Sequence, residues 1–158
     1  MLPDSKVYRI SKSEKKGTKK TNAESASLKE DFGMIGDAHA GSSRQVSLLA
    51  YESYQVFLAS RNDIDEIRPG DFADNITTIG LPVEDIVVGN HIFIGEDIHL
   101  EVTELGKSEC HYGCPIRRSI GDCIMPREGI FAKVIKGGEF RVGDNIRYSE
   151  SHVLKSTS

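Results

Sequence analysis

Residues 86–105 read IVVGNHIFIGEDIHLEVTEL, and this stretch decides the fold class. Short β-type runs at residues 91–94 and 98–105 are bounded by turn residues, with Gly89-Asn90 before the first run and Gly95-Glu96-Asp97 between the two. The same pattern predicts further strands at residues 6–10, 45–50, 75–79, 86–88, 131–135 and 145–148. Several short strands with frequent turns favour a barrel or sandwich over an alternating α/β sheet.

One helix interrupts this pattern. Tyr51, Tyr54, Phe57 and Leu58 recur at steps of three and four residues, which predicts an amphipathic helix over residues 51–60. A chain of 158 residues is the usual size of one domain and can bury about 70% of the surface that its unfolded form exposes. We therefore expect a single, mainly β domain with a few helices and one core.

Composition excludes several classes of function. A formal net charge of -4 gives no general electrostatic reason to bind nucleic acid or an anionic membrane. Residues 1–10 contain Asp4, Lys6 and Arg9, so they lack the apolar region of a secretory signal, and no apolar run approaches the length of a membrane span. We expect a soluble cytoplasmic protein with no nucleic-acid or membrane partner.

The segment at residues 11–21 is rich in lysine and nearly without apolar residues. This pattern predicts an exposed loop, and the alternative is a role in attracting an anionic ligand. The polar residues 149–158 predict a fraying tail beyond a core at about residues 6–148.

All three cysteines lie in one short segment that is also rich in arginine. An odd count argues against a disulfide scaffold and leaves at least one free thiol. Nearby positive charge lowers a thiol pKa, and an activated thiolate can carry transferable sulfur as a persulfide. The residues of this cluster are Cys110, His111, Cys114, Arg117, Arg118, Cys123 and Arg127.

Two alternatives concern the same segment. Cys114 and Cys123 are also compatible with buried structural thiols, since free cysteine is among the most buried residue types. A zinc site would find suitable ligand types there, but the spacing lacks a second CxxC pair.

Two further clusters combine turn residues with polar side chains. Residues 33–41, GMIGDAHAG, bring Asp37 and His39 close in sequence to Arg44, and the last two could donate hydrogen bonds to a phosphate or another anion. Asp74 and Asn75 stand where a predicted strand emerges from a turn. In both clusters the alternative is a set of side chains that bond the local backbone.

Taken in order, the motifs of this chain resemble the MOSC family, named for the C-terminal part of molybdenum-cofactor sulfurases. The resemblance is to the short stand-alone prokaryotic type and covers roughly residues 6–148. The motifs are KGT at 16–18, GDAHAG at 36–41, RQVSLL at 44–49, PGDF at 69–72 with Asn75-Ile76, GKSEC at 106–110, and Gly137-Gly138 leading to VGD at 142–144.

The resemblance implies a single domain, residues 1–158, with a strongly curved barrel-like sheet of the pyruvate-kinase β-barrel type. It also implies a molybdenum cofactor (molybdopterin), with Cys110 either receiving sulfur as a persulfide or ligating molybdenum. The cofactor would lie in a cleft lined by Asp37, His39, Arg44, Asp74 and Asn75. Its phosphate would lie near Arg44 or near one of the arginines of the cysteine segment, Arg117, Arg118 and Arg127.

The chain departs from the family pattern at two positions. Glu109 precedes Cys110 where many relatives have proline, and its negative charge opposes thiolate formation. Asp74 stands where many relatives have Glu. Residues 121–129, GDCIMPREG, are similar to a short prokaryotic subgroup, which makes Cys123 the second candidate for the reactive thiol.

The function that these features indicate is cofactor binding, sulfur transfer for cofactor assembly, or both. The pyridoxal phosphate of the named sulfurases belongs to a separate domain, so none is expected on this chain. The partner would then be a cysteine desulfurase or a molybdenum-cofactor biosynthesis or acceptor protein. Two alternatives are a molybdenum-dependent oxidoreductase acting on N-hydroxylated compounds and a non-catalytic adaptor in cofactor biosynthesis.

Overall fold

The computed structural model describes residues 5–14, 20–61, 67–106 and 128–149. Within these ranges the chain forms eleven strands and one α-helix. Their bounds are β1 Ser5–Lys12, β2 Thr21–Ala23, β3 Ser25–Lys29, β4 Gly33–Met34, β5 Val46–Ala50, α1 Tyr51–Ala59, β6 Ile76–Ile79, β7 His91–Ile94, β8 Ile98–Leu105, β9 Ile130–Lys136, β10 Gly138–Arg141 and β11 Asn145–Ser149.

Seven strands close into a barrel in the order β11-β7-β8-β9-β5-β6-β1, because β1 pairs again with β11. The pairs are antiparallel except for β5 and β6, which run parallel. β1 shares its long edge with β6, and its two ends pair with different strands, β11 at Ser5 and β2 at Ile10. Closure removes the exposed sheet edges that an open sheet of this length would leave.

The barrel interior holds the main core. Along β8 the inward Ile98, Leu100 and Val102 are buried, and the residues between them point outward, as the two-residue period of a strand requires. β5 is buried at every position because α1 covers its outer face. This explains why its sequence is nearly continuous in apolar residues rather than alternating.

A second, smaller core lies under α1 on the outside of the barrel. Tyr54 and Phe57 of the helix pack with Phe72, and Phe131 of β9 belongs to the same cluster. The apolar spacing seen in the sequence is therefore the buried face of α1. The predicted helix is confirmed, with its end one residue earlier than expected.

A three-stranded sheet, β10-β3-β4, packs against the barrel. Its Leu28 and Phe140 belong to the main core, so the small sheet extends the interior. These strands were not predicted, because they are short and alternate apolar residues with Ser, Lys, Glu and Arg.

The mainly β, barrel-like fold is thus confirmed, with two corrections at the level of segments. Residues 86–88 form no strand: they follow a 3-10 turn at Val83–Asp85, and Val87 donates its backbone N–H to Asn90 Oδ1 in a tight turn. Residues 11–21 are not simply an exposed loop, because Ser11 lies within β1 and Lys20 is buried. In the part of the chain that the structure describes, no helix is both long and apolar enough to cross a membrane.

Candidate functional site

The turn between β4 and β5, residues 35–45, carries the first set of predicted site residues. Glycine is required where this turn begins. Gly33 has φ +126°, and a Cβ there would lie 2.6 Å from the carbonyl oxygen of Gln45. The close approach holds the start of the turn against its end, which places Asp37, His39 and Arg44 on one compact loop.

Asp37 lies at the centre of a buried polar cluster. Its Oδ1 accepts hydrogen bonds from Lys20 Nζ at 2.7 Å and from the backbone N–H of Ser13 at 3.0 Å, and its Oδ2 accepts the backbone N–H of His39 at 3.0 Å. The Lys20 and Asp37 side chains have no exposed surface. The ion pair therefore ties the β1–β2 connection to the turn before β5.

The pKa of Asp37 is lowered well below its ordinary value. Burial alone would raise it, but hydrogen bonds from His39, from Lys20 and from the Ser13 backbone outweigh that effect, with the charge of Lys20 adding to them. Asp37 is thus a permanent anion at physiological pH, and Lys20 is its counter-ion.

His39 lies at the surface of this buried cluster. Its Nδ1 is 3.4 Å from Lys20 Nζ and 3.6 Å from Asp37 Oδ2, and its side chain is 19% exposed. Because Nδ1 is the ring nitrogen that faces Lys20 and Asp37, Nε2 is the nitrogen left for a group outside the cluster. Among the described residues none hydrogen-bonds that Nε2.

Arg44 joins the same turn to the end of β8. Its Nε and Nη2 donate to Glu104 at 2.8 and 3.0 Å, a bidentate ion pair in which each side chain is about one-third exposed. The guanidinium also lies 5.3 Å above the ring of Phe131 on β9. The pair is therefore held in place by two strands as well as by the turn.

The segment that contains the three cysteines starts and ends beside this ion pair. β8 ends one residue after Glu104, and the backbone N–H of Gly106 donates to the carbonyl of Gly129 at 2.7 Å. Just before Gly129, Glu128 accepts a hydrogen bond from Ser53 of α1 at 2.6 Å. Gly106 and Gly129, which flank residues 107–127 in the sequence, are thus joined at the end of the barrel that carries Arg44.

Five predicted site residues lie in that intervening segment and outside the described residues. They are Cys110, Cys123, Arg117, Arg118 and Arg127. The roles given to them above remain predictions.

Asp74 and Asn75 are fully buried and bonded within the fold. Asp74 accepts hydrogen bonds from Tyr54, from the Gly70 backbone and from Thr77 Oγ1. Burial raises the pKa of this carboxyl. Burial, with the neighbouring Asp74 charge, also raises the pKa of Tyr54.

Asn75 links three strands of the two sheets. Its Oδ1 accepts from the backbone N–H and hydroxyl of Ser47 at 3.0 and 3.2 Å, and its Nδ2 donates to the Ser11 carbonyl at 3.3 Å. Met34 Sδ lies 3.9 Å from the same Nδ2. In the described part of the chain, Asp74 and Asn75 thus act as structural hydrogen-bonding centres.

The structure therefore brings together Asp37 and His39 directly and connects them to Arg44, since Ser42 Oγ donates to the His39 carbonyl and accepts the Arg44 N–H. Sequence reasoning missed Lys20 and Glu104, the partners of Asp37 and Arg44. Lys20 could have been predicted only if the burial of Asp37 had been known, because a buried carboxylate needs a cation beside it. Within the described ranges, no group of three or more His, Cys, Asp or Glu side chains is placed to hold a metal ion.

Residues 36–111 match the family model described as MOSC domain. The match begins at the turn with Asp37 and ends just after Cys110, so it includes both of these residues and leaves out Cys123 and the arginines of the cysteine segment. The matched segment, just under half of the 158-residue chain, is similar to MOSC domains. No curated protein matches the sequence.

Solved structures share the fold. The YuaD protein from Bacillus subtilis superposes with a TM-score of 0.74 at 17% identity, covering 92% of this chain and 96% of that one. YiiM from Geobacillus stearothermophilus gives 0.69 at 15% identity, covering 92% and 75%. YiiM from Escherichia coli gives 0.65 at 18% identity, covering 92% and 68%.

Proposed function

We propose that this protein binds a molybdenum cofactor at the Arg44 end of the barrel and carries sulfur there on Cys110. The observation that supports this most is the joining of Gly106 to Gly129 beside the Arg44–Glu104 pair. It ties both ends of the cysteine-containing segment to the turn that holds Asp37 and His39. The class of cofactor is inferred from the similarity of residues 36–111 to MOSC domains.

The side chains of Lys20, His39 and Arg44 are hydrogen-bond donors of the type that binds an anionic group. Together with their acidic partners they supply little net positive charge. Arg44 is paired with Glu104, and Lys20 is paired with Asp37. His39 offers an Nε2–H that can donate to a phosphate oxygen. The remaining positive charge would come from Arg117, Arg118 and Arg127, the three arginines of the cysteine segment.

Each described residue has a definite task in this proposal. The buried Lys20–Asp37 pair fixes the His39 ring, Glu104 orients the plane of the Arg44 guanidinium, and the barrel holds both in place. When bound, the molybdenum cofactor supplies a metal centre that accepts a sulfur ligand. Asp74 and Asn75 contribute by maintaining the barrel wall.

Sulfur loading needs only a thiolate and a donor persulfide. The Cys110 thiolate attacks the outer sulfur of a persulfide on a cysteine desulfurase, the new S–S bond forms as the donor's S–S bond breaks, and the donor thiolate leaves. The proton of the transferred sulfur stays with it, so no other oxidant or reductant is needed. Glu109, the sequence neighbour of Cys110, would oppose ionisation of its thiol, and arginines of the same segment would favour it where they lie close.

The test is sulfur transfer to the full chain from a cysteine desulfurase supplied with radiolabelled cysteine. We expect reductant-sensitive label on the wild type, loss of label in Cys110→Ser and retention in the matched control Cys114→Ser. No label on the wild type would overturn the sulfur-carrier proposal. Label that persists in Cys110→Ser and is lost in Cys123→Ser would overturn the assignment to Cys110.

A further inference from the structure

Two histidines meet on the outer wall of the barrel, away from the candidate site. His91 on β7 and His99 on β8 are diagonal neighbours across an antiparallel pair, and His91 Nδ1 lies 2.7 Å from His99 Nε2. His99 precedes Glu104 by five residues, about 17 Å along an extended strand. The two histidines have no part in the function proposed above.

We propose that His91 and His99 form a binding site for a divalent transition-metal ion, with copper(II) or nickel(II) preferred. Histidine imidazole is the commonest protein ligand for such ions, and an ion bound between these two nitrogens would replace the 2.7 Å hydrogen-bond contact that now joins them. Water or an added ligand would complete the coordination.

The separation of the two nitrogens selects the coordination geometry. With metal–nitrogen bonds of about 2.0–2.1 Å, ligands at right angles are about 2.9 Å apart, whereas tetrahedral ligands are about 3.4 Å apart. Small rotations of the two rings take 2.7 Å to the first value, but the second demands a larger separation. Tetragonal ions therefore fit better than tetrahedral zinc.

The rings are held ready by their neighbours. The Phe93 ring stacks on the His99 ring with centroids 4.6 Å apart. The guanidinium of Arg147 on β11 lies 5.4 Å from the centroid of the Phe93 ring. The residues between them along the strands, Ile92 and Leu100, point into the barrel core. The backbone carrying both histidines is thus fixed on a rigid element, which lowers the cost of ordering ligands.

The local charges act in both directions. The carboxylate of Glu101, the register partner of His91, favours a bound cation. Lys133 and Lys136 on β9 and Arg147 on β11 oppose it, and Lys133 already lies 3.7 Å from Glu101. Lys136 and Arg147 are solvent-exposed, so salt screens their repulsion of a bound cation. The metal–nitrogen bonds are coordinate bonds and are less affected by salt.

The experiment is titration of the full chain with copper(II), monitored by calorimetry and electron paramagnetic resonance. The three cysteines are replaced by serine throughout, so that thiols neither bind nor reduce the ion. We expect one site with nitrogen couplings from two imidazoles, and affinity lowered about tenfold or more in His91→Gln and in His99→Gln. The matched control, His152→Gln, should bind as the parent does.

Circular dichroism establishes that each variant is folded before titration. The proposal is overturned if His91→Gln and His99→Gln, both folded, bind copper(II) as tightly as the control. It is equally overturned if the resonance spectrum of the parent carries fewer than two imidazole couplings. Neither outcome bears on the cofactor or sulfur proposals, which concern the opposite end of β8.

Discussion

At the scale of single residues, the fold depends on polar side chains that were placed inside it. Lys20 and Asp37 have no exposed surface and share a 2.7 Å contact. Removing one partner of a buried pair leaves the other charge without compensation, which is far more costly than losing an exposed pair. The pair is therefore expected to control both the stability of the turn and the position of His39.

Lys20→Met should lower the free energy of unfolding by about 3–5 kcal/mol because it leaves Asp37 buried and unpaired. Urea unfolding measures the change. Lys133→Met is the matched control, since Lys133 forms an exposed 3.7 Å pair with Glu101 and should cost about 0–1 kcal/mol. Equal losses in the two variants would contradict the importance assigned to the buried pair.

The lowered pKa of Asp37 predicts a pH dependence of stability. A carboxyl whose folded-state pKa lies below its ordinary value of 3.8 stabilises the fold above that value and loses this contribution as the pH falls below it. The raised pKa of Asp74 acts in the opposite sense, because its buried carboxylate costs stability above that range.

The free energy of unfolding of Asp37→Asn should therefore lie furthest below that of the wild type near neutral pH, and the gap should narrow below about pH 4. Chemical denaturation at a series of pH values measures it, with the exposed Asp97→Asn as control. A gap that stays constant from neutral pH to the acid limit would show that Asp37 is not ionised in the fold.

At the scale of elements, patterns of apolar residues were sufficient for the longer strands and the helix. The bounds predicted for β7 and β8 are the observed ones, because these strands alternate buried and exposed residues over a full face of the barrel. β2, β3 and β10 were missed, since their few apolar residues stand among Thr, Asn, Ser, Lys, Glu and Arg and give no clear strand pattern. Residues 86–88 were wrongly predicted as a strand: their three β-branched residues are typical of strands, but Ile86 alone is buried, and Val87 and Val88 are exposed.

Glycine at the base of the candidate turn gives a prediction at this scale. Gly33→Ala should destabilise the protein by about 2–4 kcal/mol, since it combines a positive φ with a Cβ only 2.6 Å from the Gln45 carbonyl. Gly89→Ala is the control: it has φ +97° with nothing within 4 Å and should cost about 1–2 kcal/mol. Thermal unfolding compares them, and equal shifts would contradict the steric argument.

At the scale of the whole molecule, barrel closure explains why distant segments meet at one site. β5, β8 and β9 are consecutive in the sheet only through antiparallel pairings, and together they bring Arg44, Glu104 and Phe131 into contact. Family motifs in the sequence predicted Asp37, His39 and Arg44 as neighbours. They could not predict Lys20 or Glu104, because those partners are fixed by pairings between segments far apart in the chain.

Two polar motifs that look alike in the sequence lie in different environments in the fold. His39 lies at the surface of the cluster around the buried Asp37, with its side chain 19% exposed, whereas the side chains of Asp74 and Asn75 are fully buried and hydrogen-bonded inside the fold. A sequence pattern cannot distinguish these cases, since both place Asp or Asn beside a turn. The burial of the side chains and their hydrogen-bond partners distinguish the two motifs.

The most direct test of cofactor binding is the amount of pterin carried by the full chain purified from a host that makes molybdenum cofactor. We expect close to one pterin per chain in the wild type, lowered about tenfold or more in folded Arg44→Gln, and unchanged in the control Arg147→Gln. Wild-type protein that is folded, purified from such a host and free of pterin would contradict the account.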